Sequence, residues 1–159
     1  MIATTALIAQ NPGEPTAYRE MGLNKLYLGA TQEAMECFRR ADRIAPSDPA
    51  RWTWLQALGR ALMQVRRDQE AAEVLRLAME CYPGWPLGAA LLAAAEALAG
   101  HIEQARLLLG EFNESDPGMT ISRSFQERSS VPLTSVSPVY LGENEHILDG
   151  LPRAGMPEQ

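Results

Sequence analysis

The chain has 159 residues, a hydrophobic fraction of 46% and a formal net charge of −6. This length is enough for one domain with its own core, and the acidic balance argues against a nucleic-acid surface, which needs clustered Lys and Arg. No run of 18 apolar residues marks a membrane span, and the start of the chain has no basic stretch typical of a signal peptide. Cys37 and Cys81 have no metal-ligand spacing, which favours free thiols in a reducing compartment. We therefore expect a cytoplasmic protein without a bound metal or cofactor.

Four prolines divide the chain at a nearly constant interval. Pro12, Pro46, Pro83 and Pro117 are separated by 34, 37 and 34 residues. An interval of this size holds two helices of three to four turns with short connections. The sequence therefore predicts an all-α protein built from repeated helix pairs.

The first predicted pair occupies residues 15–48 and follows residues 1–14, which we interpret as the remnant of a preceding repeat helix. Its first helix is predicted from about Pro15 to Leu28 and ends at Gly29, since glycine tolerates the left-handed conformation of a helix C-terminus. In its second helix, Ala34, Phe38 and Ala41 fall on one side with helical spacing. This stripe is expected to be buried.

Residues 49–85 and 86–117 repeat the pattern. Small residues return wherever two helices must approach closely: Gly22, Gly59 and Ala93 in the first helix of each pair, and Ala34, Ala71 and Ala105 in the second. The second unit has three additional residues near "PARWTW", which are expected to lengthen the start of its first helix or the turn before it.

These units resemble the tetratricopeptide repeat (TPR). The resemblance rests on "MG" and "EAMECFRRADRIAP" in residues 21–46, and on "LG" and "QEAAEVLRLAMECYP" in residues 58–83. It covers about residues 15–117, and the third unit departs from it because Ala93 replaces the glycine. The resemblance implies a right-handed α-α superhelix with C-terminal capping helices, and a role in protein–protein interaction.

In a superhelix of this kind the concave wall is formed mainly by the first helix of each unit, and a partner protein or peptide would bind there. The predicted partner-binding residues are Arg19, Leu23, Tyr27, Gln56, Arg60, Met63, Leu87, Leu91 and Leu98. Only Arg19 and Arg60 resemble the residues with which some TPR co-chaperones hold a peptide carboxylate, so a carboxylate clamp is not expected.

Residues 118–159 follow the repeats. We predict one extra helix after Pro117, an irregular Ser- and Pro-rich segment, and a last capping helix from about Val139 to Leu151. The first helix of the third unit is apolar on nearly all sides, which means that something covers it. One hypothesis is that the C-terminal segment folds back into the groove, or that two copies exchange it as a homodimer. The alternative is that the extra helix and ordinary stacking cover the surface.

The end of the chain, "HILDGLPRAGMPE" in residues 146–158, is similar to the C-terminal end of bacterial class III adenylate and guanylate cyclases, in which TPR units follow the catalytic domain. Pro152 stands where those tails usually have a basic residue. No phosphate-binding loop, metal-ligand spacing or catalytic triad occurs in the sequence. The chain itself is therefore not expected to be an enzyme, and the resemblance implies a regulatory module of a signalling enzyme. The alternatives are the TPR tail of a winged-helix transcriptional regulator and a freestanding peptide-binding adaptor.

Overall fold

The structure is a computed structural model that describes residues 11–85, 87–115 and 137–156, without the side chains of residues 112, 113 and 115. The described residues form seven helices and no strand, which confirms the all-α prediction. The helices are α1 (Pro15–Tyr27), α2 (Thr31–Ile44), α3 (Arg51–Gln64), α4 (Asp68–Cys81), α5 (Gly88–Leu98), α6 (Ile102–Ser115) and α7 (Pro138–Ala154).

The first six helices form three hairpins that pack side by side. Three-residue turns (28–30, 65–67 and 99–101) join α1 to α2, α3 to α4 and α5 to α6, so that the two helices of each hairpin run in roughly opposite directions. Six-residue connections, 45–50 and 82–87, separate the hairpins. The second helix of one hairpin packs on the first helix of the next, α2 on α3 and α4 on α5. One apolar core runs through the stack.

An equivalent close contact between the two helices occurs inside each of the first two hairpins. A Cβ atom built on Gly22 would lie 2.5 Å from Phe38 Cε1, and one built on Gly59 would lie 2.5 Å from Leu75 Cγ. Phe38 and Leu75 are fully buried, so their side chains have little room to move. The small residue at this position is therefore a packing requirement.

The turn inside each hairpin uses a left-handed residue at an equivalent position. Gly29 has φ +82° and Gly100 has φ +93°, as expected for glycine. In the second hairpin the same position is Arg66, with φ +60°. A residue with a Cβ atom costs about 1–2 kcal/mol in this conformation, so Arg66 is a local exception.

The first helix of the second unit begins further ahead of its small residue than the first helix of either other unit does. Helix α3 begins eight residues before Gly59, whereas α1 begins seven residues before the equivalent Gly22 and α5 begins five residues before the equivalent Ala93. In the first turn of α3, Arg51 Nε donates to Asp42 Oδ1 at 2.7 Å, and Trp54 Nε1 donates to the same oxygen at 3.1 Å. Burial raises the pKa of Asp42, but these hydrogen bonds and the charge of Arg51 outweigh it and lower the pKa below 3.8. The first turn of α3 thus joins the first hairpin to the second.

Several predicted elements lie outside the described residues. These are the helical remnant near the start of the chain and the extra helix after Pro117. The last predicted helix is longer than expected: α7 begins at Pro138 and ends at Ala154, followed by Gly155 with φ +102° as its left-handed cap. Among the helices that the structure describes, none combines the length and the apolar character that crossing a membrane requires.

Candidate helix-binding face

Helix α7 lies across the first helices of the hairpins. It packs mainly on α5, and also on α3 and α6, while its N-terminal end reaches the turn after α1. We call the surface that α7 covers the first-helix face. It consists of the C-terminal end of α1 and its turn, the last two turns of α3 with the turn that follows, and α5, together with the first residues of α2 and α4 and part of α6.

The start of α7 is fixed to the turn after α1. Ser137 N donates to the carbonyl oxygen of Tyr27 at 2.8 Å, and Ser137 Oγ accepts from Tyr140 N at 3.1 Å, capping the helix. A Cβ atom on Gly29 would lie 2.8 Å from both Ser137 Oγ and Val139 Cβ. Glycine at position 29 therefore serves the turn and also leaves space for α7.

Tyr140 is the aromatic anchor of the N-terminal half of α7. Its ring meets the ring of Tyr27 edge to face, with centroids 5.3 Å apart and planes at 78°. Its hydroxyl accepts a hydrogen bond from Arg60 Nη2 at 3.1 Å. Burial and the neighbouring Tyr140 raise the pKa of Tyr27, so this phenol stays neutral over the physiological range.

Helix α7 pairs in a constant register with the end of α3 and the turn that follows it. Arg60 pairs with Tyr140, Gln64 Nε2 donates to Asn144 Oδ1 at 2.9 Å, and Arg66 Nη1 lies 3.1 Å from His146 Nδ1. In all three pairs the partners are 80 residues apart in the sequence. The constant offset means that α7 runs in the same sense as the end of α3 and the turn that follows it.

Two further contacts reach the first residues of α2 and α4, which occupy equivalent positions in their hairpins. Thr31 Oγ1 donates to Glu143 Oε2 at 2.6 Å. Asp68 Oδ1 lies 2.9 Å from His146 Nε2. Because arginine can only donate, the Nδ1 atom of His146 that faces Arg66 is the acceptor, and Nε2–H donates to Asp68. The second helices thus hold α7 through the same repeat position in two hairpins.

The C-terminal half of α7 is apolar and closely packed. Ile147, Leu151, Ala154 and Met156 are almost completely buried. A Cβ atom on Gly150 would lie 2.7 Å from the carbonyl oxygen of Ala94 and 2.9 Å from Leu98. Since a backbone carbonyl inside α5 cannot move aside, only glycine allows α7 to approach this closely. Fully burying a side chain such as Ile147 or Leu151 contributes about 1.5–3 kcal/mol.

Three of the nine predicted partner-binding residues have direct contacts with α7, namely Tyr27, Arg60 and Leu98. Met63 and Leu91 are buried. The remaining residues are partly buried: Arg19, Leu23, Gln56 and Leu87. Arg19 forms an ion pair with its neighbour Glu20, and Leu87 precedes α5 as its cap. Binding of a separate protein or of a second copy to these residues stays a prediction.

Thr31, Arg66 and Asp68 also contact α7, although they are not among the residues predicted from the sequence. They belong to the turns and to the first residues of the second helices, whereas the prediction considered only first helices. One signal was available for Arg66, because it replaces glycine at a repeat position that requires positive φ.

Glu96 and Cys37 are two further titratable groups that are withdrawn from solvent. Glu96 is 1% exposed, forms an ion pair with Arg76, and lies 2.7 Å from His101 Nδ1, so that it ties α5 to α4 and to the turn before α6. Cys37 is half-buried, and burial raises the pKa of its thiol. Within residues 11–85, 87–115 and 137–156, no cluster of three His, Cys, Asp or Glu side chains could hold a metal ion.

No protein-family model matches the chain, and no curated protein is significantly similar to it.

Proposed function

We propose that this chain is a TPR protein–protein interaction and regulatory module, folded as a right-handed superhelix, and that it is the C-terminal part of a bacterial adenylate or guanylate cyclase. The observation that carries the interaction role is the first-helix face, which is shaped to hold a helix and already holds α7. The occupant is bound by side chains from successive hairpins, as expected for a surface built from repeats.

The TPR assignment is supported by equivalent residues with equivalent contacts. Gly22 meets Phe38 as Gly59 meets Leu75, and Thr31 contacts α7 as Asp68 does. Agreement at corresponding positions is typical of repeat units that stack on near copies of themselves.

The cyclase assignment is supported by the tail phrase in residues 150–156, because its characteristic residues have distinct structural roles. Gly150 permits the close approach to α5, Leu151 and Met156 are buried, and Gly155 caps the helix with positive φ. Pro152, which departs from the usual basic residue, lies on the exposed side of the last turn. The substitution at position 152 therefore does not affect the side of α7 that packs on the first-helix face.

An antibody raised against this chain tests the proposal in the organism that produces it. We expect a band several tens of kilodaltons above 17.5 kDa, and an immunoprecipitate that converts ATP or GTP to the cyclic nucleotide. A band at 17.5 kDa without this activity would contradict the cyclase assignment and favour the freestanding adaptor. A larger band that binds DNA and forms no cyclic nucleotide would favour the transcriptional regulator.

A further inference from the structure

We infer that α7 is a built-in competitor for the first-helix face, and that the partner of this chain presents a helix with the same apolar pattern. That pattern is a branched apolar residue, Gly-Leu three and four positions later, and a small residue after a further three, as in Ile147, Gly150, Leu151 and Ala154. The inference rests on the proposed interaction role and specifies the chemistry of the partner.

The apolar half of the contact selects the partner. The site on α5 accepts a helix only where that helix has no side chain facing the carbonyl oxygen of Ala94, since even a Cβ atom would come within 2.7 Å. The residue that follows this glycine in α7, Leu151, is completely buried. A partner helix must therefore carry glycine followed by a large apolar residue, which is a restrictive requirement.

The polar half of the contact is incomplete, so another helix could bind there more tightly than α7. Arg60 donates through Nη2 to Tyr140, but its buried Nε has no hydrogen-bond partner among the described residues. Gln64 is 4% exposed and donates through Nε2 to Asn144, while its buried Oε1 likewise lacks a donor within the described part of the chain. Leaving buried polar atoms unpaired is costly. A partner that supplies an acceptor to Arg60 and a donor to Gln64 would bind this half better than α7 does.

Competition of this kind reduces the apparent affinity of the partner by the fraction of molecules in which α7 is undocked. The tethered helix has the advantage of a high effective concentration, so a partner must exceed its intrinsic affinity. The face is therefore closed in the free chain and opens to a helix that matches the apolar pattern and improves on the polar contacts.

The experiment uses the full chain and a fluorescein-labelled peptide with the sequence of residues 137–156. In the variant Leu151→Asp, an unpaired carboxylate at a completely buried position prevents the chain's own α7 from docking. Leu148→Asp is the matched control, because Leu148 lies on the same helix and is 37% exposed. Fluorescence anisotropy should show the peptide binding to Leu151→Asp at least tenfold more tightly than to the wild type or to Leu148→Asp. The same peptide with Gly150→Ala should bind at least tenfold more weakly to Leu151→Asp.

Equal affinity for all three proteins would overturn the inference, since it would mean that α7 does not compete. Absence of binding to Leu151→Asp would overturn it as well, provided that circular dichroism shows the helices to be intact. If Leu151→Asp does not fold, Gly150→Ala in the full chain replaces it. For that variant we expect at least threefold tighter peptide binding than for the wild type, and no increase would overturn the inference. Tight peptide binding by a protein of 17.5 kDa native mass would retain the inference and contradict only the cyclase assignment.

Discussion

The two halves of α7 are bound by different physical means. The half from Ser137 to His146 is held by hydrogen bonds to Tyr27, Arg60 and other polar groups of α1–α4. The half from Ile147 to Met156 is held by buried apolar side chains and a glycine against α5. Replacing hydrogen bonds to water by one within the protein stabilises the folded state by about 0.5–1.5 kcal/mol net. Burying one large aliphatic side chain stabilises it by about 1.5–3 kcal/mol. The apolar half therefore supplies most of the affinity, and the polar half fixes the register.

The largest effect is expected from truncating the apolar half. Leu151→Ala should lower the free energy of unfolding by about 2–5 kcal/mol, because it leaves a cavity at a completely buried position. Urea unfolding followed by circular dichroism measures the change. The control Leu148→Ala, on the partly exposed side of the same helix, should cost less than about 1 kcal/mol. Similar losses for the two variants would mean that α7 is not docked in this orientation.

Substituting two glycines of α7 by alanine should change the stability of the protein in opposite directions. Gly150→Ala should destabilise the protein by about 1–3 kcal/mol, since the added Cβ atom meets the backbone of α5. Gly142→Ala should stabilise it by up to about 1 kcal/mol, because alanine favours the helix and no atom of the described residues lies within 4 Å of the new Cβ. Thermal unfolding should show a lower Tm for the first variant and a higher Tm for the second. A rise for both would contradict the close approach to Ala94.

The polar half should respond more weakly. Tyr140→Phe keeps the edge-to-face contact with Tyr27 but removes the acceptor for Arg60, so we expect a loss of about 0.5–1.5 kcal/mol in unfolding free energy. Tyr82→Phe is a suitable control because Tyr82 is 44% exposed, and it should change stability by less than about 0.5 kcal/mol. A loss as large as that of Leu151→Ala would reverse the proposed ranking of the two halves.

The smallest net effect concerns Arg66. Arg66→Gly relieves the positive-φ strain, about 1–2 kcal/mol, but removes the contact with His146 and adds the backbone entropy of glycine. In the wild type these effects should nearly cancel. In a His146→Ala background the same substitution should be more favourable by about 0.5 kcal/mol, and a double-mutant cycle in urea measures the difference. A coupling of zero would mean that the strain is unrelated to α7.

Local periodicity predicted much of the fold. The stripe of Ala34, Phe38 and Ala41 is completely buried, and so are Ala71 and Leu75 at equivalent positions. Burial of this kind follows from helical spacing alone, because each stripe faces its own hairpin. Glu96 shows the limit: it is a buried carboxylate whose partners, Arg76 and His101, come from α4 and from the turn before α6, and local periodicity does not connect these with α5.

Periodicity predicted the face less completely. The contacts between α3 and α7 join residues 80 positions apart, and no local pattern specifies that register. The positions of the apolar residues in the sequence of α7 also did not indicate which side of this helix is docked. Leu151 is buried, whereas Leu141 and Leu148 are 39% and 37% exposed. The docked side is defined by Gly150, whose role depends on the backbone of another helix.

Hydrogen exchange in α7 tests the central claim most directly, because an isolated helix of this length is only marginally stable in water. Mass spectrometry would compare residues 140–154 in the full chain with the same residues in a free peptide of residues 137–156. The docked arrangement predicts exchange at least a hundredfold slower in the chain, with the strongest protection from Ile147 to Ala154. Exchange at the rate of the free peptide would show that α7 does not occupy the first-helix face.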